Sequence, residues 1–250
     1  MTTMLLRRGL AGLAGATALA SACALSVTGA PLEVADLRCE YRLNPVGLDV
    51  REPRFSWTLR GNRRGERQTA YRVLAASSRG LLAADRGDLW DSGQVPTNRT
   101  IHVVYAGRPL QSRQCAWWKV RVWDKDGERS PWSSAGAWSM GLLDRADWQA
   151  LWIAVPTNRA TASVAGTGAS ALPATMLRKA FRLTGPVRRA TAHVTAEGVY
   201  ELRVNGHRVG QDLLAPELTS YRHRVQYQTE DVTGYLRRGE NVVSSQVGEG

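Results

Sequence analysis

Residues 198–235 read GVYELRVNGHRVGQDLLAPELTSYRHRVQYQTEDVTGY, and the architecture of the chain can be built outward from them. Tyr200, Leu202 and Val204 alternate with Glu201 and Arg203, the period-two pattern of a strand with one face buried. Asn205-Gly206 closes that strand, because Asn-Gly readily supplies the two positive φ values of a type I′ turn; the spacing predicts a hairpin returning through Arg208 and Val209. Beyond Pro216, alternation at Val225, Tyr227 and Thr229 predicts another strand. Asp231-Val-Thr-Gly-Tyr-Leu then reads as a short capped helical turn ahead of Gly239.

Upstream, Leu177, Phe181 and Leu183 share one face of a predicted strand. Ala190, Ala192, Val194 and Ala196 form a second inward row whose small side chains call for close packing under a neighbouring sheet. Downstream, 242–247 supplies a last strand. Residues 177–250 therefore read as a partial jelly-roll β-sandwich. The expected fold class is all-β throughout, with no long helical pattern anywhere.

Residues 32–141 read as a separate β-sandwich, with strands expected at 34–38, 55–59, 70–76, 102–105, 115–124 and 137–140 between turn signals. In the clearest of these, Ala116, Trp118, Val120 and Val122 face one way, and Trp117, Lys119, Arg121 and Trp123 the other. Asp126-Gly127 then turns the chain into Ser130-Pro131-Trp132-Ser133. An aromatic-led late strand, a Gly turn and Ser-x-Trp-Ser together resemble a fibronectin type III module. Residues 142–176 join the two sandwiches. Asp147-Trp-Gln-Ala-Leu-Trp152-Ile153 is an aromatic-anchored connector, and 157–175, almost uncharged and built of small residues, reads as a flexible loop.

All nine Trp lie between Trp57 and Trp152. They serve either as the aromatic core that a small sandwich needs or as a sugar-stacking platform from Trp90, Trp117, Trp123 and Trp132; Trp117 and Trp123 are the expected exposed pair. Cys39 and Cys115 are read as free thiols, with pairing in an oxidising compartment left open. The net charge of +11 suggests a phosphate-binding surface, but the chain holds only Lys119, Lys125 and Lys179 as lysines, and its arginines are spread from Arg38 to Arg238. That distribution describes a solvated surface, and no nucleic-acid partner is expected. Met1 to Ala24 has the features of an export signal, with Arg7-Arg8, an apolar run from Gly9 to Ala20, and Ala22-Cys23-Ala24. The run is short for a bilayer, so no membrane span is expected. Secretion or delivery to a bacterial periplasm follows, with cleavage after Ala24 or lipidation at Cys23 as the two processing routes.

The order Gly198-x-Tyr200-Glu201-x-x-x-Asn205-Gly206, Val209-Gly210, Pro216 with Thr219-x-Tyr221, Tyr227 with Asp231-Val232-Thr233, and Gly239-x-Asn241 resembles the amino-terminal β-domain of bacterial alpha-L-rhamnosidases. The resemblance implies a secreted glycosidase that removes terminal alpha-L-rhamnose with inversion, acting on a rhamnose-containing glycan or glycoside. Its catalytic carboxylates would lie on a helical barrel downstream, so these residues would be an accessory part cut off before the catalytic domain and packed against it. No residue of 1–250 matches the catalytic motif. Some family members bind carbohydrate through this jelly roll, in places with calcium, which takes six to eight oxygen ligands. On that implication Glu217 and Tyr221, near loop ends, are candidate sugar contacts beside Trp117 and Trp123. No cofactor or metal ligand set is expected, calcium staying open. His193, His207 and His223 lack triad partners and read as surface or strand residues, and Glu230-Asp231 as a turn-capping or solvated pair. A free-standing carbohydrate-binding or adhesion module is the alternative to an enzyme's accessory part.

Overall fold

A computed structural model of the chain describes residues 32–154 and 174–248. The expected export signal, and the small-residue loop as far as residue 173, lie outside them. The amino-terminal sandwich contains β1 (Glu33–Cys39), β2 (Arg54–Arg60), β3 (Ala70–Ala76), the short helix α1 (Arg79–Ala83), β4 (Trp90–Asp91), β5 (Val95–Pro96), β6 (Val103–Val104), β7 (Cys115–Trp123) and β8 (Gly136–Ser139). One sheet has the order β1-β2-β6. The other runs β4-β3-β7-β8, with β5 also paired to β3, and all these pairings are antiparallel.

The core between the sheets follows from the alternation on β7. Ala116, Trp118, Val120 and Val122 are all buried and meet Phe55 of β2, whose ring lies 4.2 Å from Trp118 and 5.2 Å from Trp138. Gln68 is the buried amide that closes one end: Trp57 Nε1 donates to its Oε1, and its Nε2 donates to the Thr97 and Arg99 carbonyls. A buried amide is tolerated only when so satisfied. Strands β1, β2, β3, β6, β7 and β8 fall where the sequence predicts them. The sequence reading missed α1, β4 and β5. Each is five residues or fewer, too short to carry a full period of either pattern.

The second sandwich contains β9 (Thr175–Leu183), β10 (Thr191–Val194), β11 (Val199–Val204), β12 (His207–Arg208), β13 (Gln228–Asp231) and β14 (Gly239–Gly248). A four-stranded sheet, β12-β11-β14-β9, is covered by the pair β10-β13. The hairpin forms as expected, with Asn205 at φ +51° and Gly206 at φ +85°. Asn205 does more than turn the chain. Its Nδ2 donates to Tyr235 O and to Asn241 Oδ1, each at 2.8 Å, and its Oδ1 accepts the Val242 N–H at 2.8 Å. Asn241, fully buried, in turn binds the backbone at Arg237 and Gly239.

Two expectations shift in this half. The strand expected from Val225 begins only at Gln228, because Arg224 and His223 still hydrogen-bond back to the Ser220 carbonyl in a turn. Glu230 and Asp231 do not act as a pair. Asp231 caps the helical turn Thr233–Tyr235 through the Thr233 N–H, whereas Glu230 lies opposite Ala192 on the inner face of the β10-β13 pair.

Candidate functional site

The four sugar-contact candidates do not converge. Glu217 is exposed at φ +80° after the Ala215-Pro216 bond, and its carboxylate has no hydrogen-bond partner among the described residues. Tyr221 is half-buried, and its Oη accepts the Gly198 N–H at 2.9 Å, so the phenol oxygen holds the loop onto the hairpin. Trp117 and Trp123 share the outer face of β7 but lie six residues apart, roughly 20 Å along a strand. Both are half-buried, Trp117 against Leu74, Ala76 and Leu82. Of the other Trp residues considered, Trp90 stacks on Phe55, 6.1 Å between ring centroids. Trp132 is covered by the Arg121 guanidinium at 4.0 Å. Among the described residues, no group of three or more His, Cys, Asp or Glu is placed to hold a metal ion.

What the structure does assemble is a joint between the two sandwiches; sequence reasoning anticipated its aromatic-anchored connector but not the contacts that Tyr227, Gly47 and Gly141 make across it. Beyond β8 the chain makes a tight helical turn at Arg145–Asp147. Ser112 Oγ donates to the Asp147 carboxylate, and Arg113 donates to the Asp147 carbonyl at 2.7 Å. This turn sets Trp148 against Tyr227, with ring centroids 5.6 Å apart. Tyr227 Oη accepts the Leu142 N–H at 2.8 Å. The connector is thus anchored through Trp148, while Leu151, Trp152 and Ile153 are exposed.

Two glycines make the approach close enough. A Cβ on Gly141 would come within 2.6 Å of Tyr227 Oη and 2.9 Å of the Gly47 carbonyl, and one on Gly47, which has φ +78°, would overlap the Thr229 side chain. His193, read from sequence as a surface or strand residue, lies here on β10. Its Nδ1 is 3.1 Å from Thr229 Oγ1, its ring is edge-on to Tyr227, and its buried Nε2 has no hydrogen-bond partner. Burial, with the Arg113 guanidinium nearby, holds the imidazole below its ordinary pKa. The available signal was the strand itself. Tyr227 and Thr229 alternate with Gln228 and Glu230, so one face was bound to meet something other than its own core.

On the opposite face of β13, Glu230 lines a small cavity with Tyr200, Asp212 and Gln228. Burial, with the Asp212 charge, pushes its carboxyl pKa up. Tyr200 Oη contacts Gln228 Oε1 at 3.1 Å, and burial raises its pKa as well. The arrangement places the two acids Glu230 and Asp212 around one small, largely enclosed cavity.

The comparisons agree with this division. Residues 34–144 match the family model described as the Rha78A-like, N-terminal immunoglobulin domain, and residues 185–250 match that of the alpha-L-rhamnosidase N-terminal domain. The chain is 36% identical over 208 residues to an alpha-L-rhamnosidase of Formosa agariphila, covering 83% of this chain and 22% of that protein. It is 34% identical over 225 residues to one of Streptomyces avermitilis, covering 85% and 21%. Among solved structures it is similar to the alpha-L-rhamnosidase from Dictyoglumus thermophilum, with a TM-score of 0.78, 34% identity, and coverage of 87% of this chain and 25% of that one. The native alpha-L-rhamnosidase from Aspergillus terreus gives 0.71, 28%, 88% and 24%. The chain spans only about a quarter of the length of these relatives.

Proposed function

Because the chain carries, in order, the immunoglobulin-like and N-terminal domains of alpha-L-rhamnosidases, we propose that it is the accessory front of an exported enzyme that removes terminal alpha-L-rhamnose. Its contribution in this reading is domain packing: a fixed two-sandwich platform against which a catalytic region docks. The observation that carries the proposal is the succession of the two matched domains across a joint closed by Gly47, Gly141 and Tyr227.

Inverting hydrolysis needs one carboxylic acid and one carboxylate about 6.5–9.5 Å apart, with room for a water between them. In this reading that pair belongs to sequence beyond these 250 residues. The rhamnose-containing glycan is the substrate of the whole polypeptide. Export through the amino-terminal signal is part of the same proposal, and an exported protein beginning at Leu25 would support it.

The test is hydrolysis of p-nitrophenyl alpha-L-rhamnopyranoside by the isolated chain and by the same chain joined to a rhamnosidase catalytic region. No turnover by the first and robust turnover by the second is the expected result. Turnover by the isolated chain would overturn the accessory assignment. Saturable binding of rhamnose without turnover would replace domain packing with the carbohydrate-binding alternative.

A further inference from the structure

On the outer face of the five-stranded sheet, α1 and the segment entering β8 frame a cleft of about 520 Å³, lined by Asn44, Arg79, Leu82, Trp117, Lys119 and Ser133. That volume is in the range of small-ligand sites, which are mostly apolar with a few placed polar groups. The floor fits the description: Leu82 is buried, Trp117 is half-buried, and Ala83, Ala135 and Ala137 complete the lining.

The charges around it divide into those already engaged and one that is not. Arg72 pairs with Asp91 at 2.6 Å, Lys119 pairs with Asp85, and Arg121 lies over the Trp132 ring. Trp132 also donates its N–H to Asp85. Arg79, on the first turn of α1, is exposed and makes no hydrogen bond or ion pair among the described residues. Likewise, among the described residues no cation lies over Trp117, in contrast to Trp132. Asn44, exposed, accepts the Ala137 N–H through Oδ1 at 2.8 Å, which leaves its amide NH₂ without a partner among the described residues. The cleft thus joins a half-buried indole that lines it, an uncompensated guanidinium and an amide donor.

We propose that this cleft binds an anionic pyranose, its ring packed on Trp117 and its carboxylate or sulfate paired with Arg79, with Asn44 donating to a hydroxyl. A guanidinium favours planar oxyanions through paired charge-assisted bonds, and the stacking face of an indole accepts a sugar ring without sequence or linkage specificity. The site lies on the first sandwich and does not depend on the rhamnosidase reading.

The experiment is calorimetric titration of the full chain with methyl β-D-glucuronide, D-glucose 6-sulfate and the neutral methyl alpha-L-rhamnopyranoside. Arg79→Gln is the variant, and Arg86→Gln is a control for the same loss of charge elsewhere. The expected result is saturable binding of at least one anionic sugar, weaker by about tenfold for Arg79→Gln, the size of one lost charge-assisted contact, and unchanged for Arg86→Gln. The glucuronide and sulfate arms separate a uronic-acid ligand from a sulfated one. Equal binding of the neutral rhamnoside, equal binding by Arg79→Gln, or no saturation by either anionic sugar would each overturn the proposal. Arg79 is exposed, so its replacement leaves folding intact, which thermal unfolding of the variant verifies.

Discussion

At the scale of single residues, the joint is where small changes carry furthest. Tyr227→Phe removes the acceptor of the Leu142 N–H, and stranding a part-buried donor costs about 1–3 kcal/mol; urea unfolding of the variant measures it. Gly141→Ala costs stability for a different reason, steric overlap with the same phenol oxygen. In a double-mutant cycle the pair should therefore be less than additive, since removing the oxygen relieves part of the clash.

His193 makes the joint sensitive to pH. Its imidazole is held below the ordinary value of about 6.5, so as pH falls the unfolded chain takes up its proton before the folded one does. The stability supplied by the neutral ring is present above about pH 6.5 and is lost as pH drops below it. His193→Gln should narrow the difference in unfolding temperature between pH values on either side of that point. Glu230 works in the opposite sense. Its raised pKa means that the charged form destabilises the fold at neutral pH, so Glu230→Gln should raise the unfolding temperature there and have little effect in acid. Neither role was legible from sequence, because each depends on residues brought together from distant segments. The partners of His193 include Thr229 and Arg113, and the partner of Glu230 is Asp212. Asn205 was legible as a turn residue because its φ requirement is local; its bonds to Asn241 and Tyr235 are not.

At the scale of elements, what the sequence made plain was alternation. Strand β7 could be read face by face, since four inward apolar residues separated by bulkier polar or aromatic ones fit only a strand buried on one side. Its partner Phe55 is fully buried among Trp90, Tyr105, Trp118 and Trp138, so its truncation is costly. Phe55→Ala should cost about 3–5 kcal/mol, visible as a lower denaturant midpoint for the first sandwich. Strand β13 was placed three residues early because Val225 and Tyr227 continue the same alternation into a segment that is still turning. Pattern alone does not register where ladder hydrogen bonds begin. The Trp residues were ambiguous for a related reason. Hydrophobicity assigns an aromatic to a strand, but only tertiary packing determines that Trp117 is half-covered beside Leu82 of α1 and that Arg121 lies over Trp132.

At the scale of the whole molecule, the sandwiches are unequal. The first encloses a dense aromatic core. The second buries only Leu202, Val204, Val209 and Val232 in its cluster, with partly buried neighbours around them. The thinner sandwich leans on the joint, which predicts that calorimetry of the wild-type chain shows the two halves melting close together. A Gly141→Arg variant, which wedges the joint open, should bring the melting of the second half to lower temperature while leaving that of the first nearly in place.

The position of β14 bears on when the chain can fold at all. It is the last described strand, yet it lies in the interior of its sheet, between β11 and β9, with Val247 opposite Thr175 and also opposite Tyr200. Until residues 239–248 arrive, β9 and β11 have no ladder partner for these faces. The first sandwich, whose strands all precede residue 140, can form while synthesis continues. In the second, β10-β13 and the β11-β12 hairpin can pair earlier, but β9 and one edge of β11 must wait unpaired, and such waiting exposes a chain to misassociation. For a polypeptide made from its amino terminus, the arrival of these ten residues is the event that gives β9 its partner and joins it to β11.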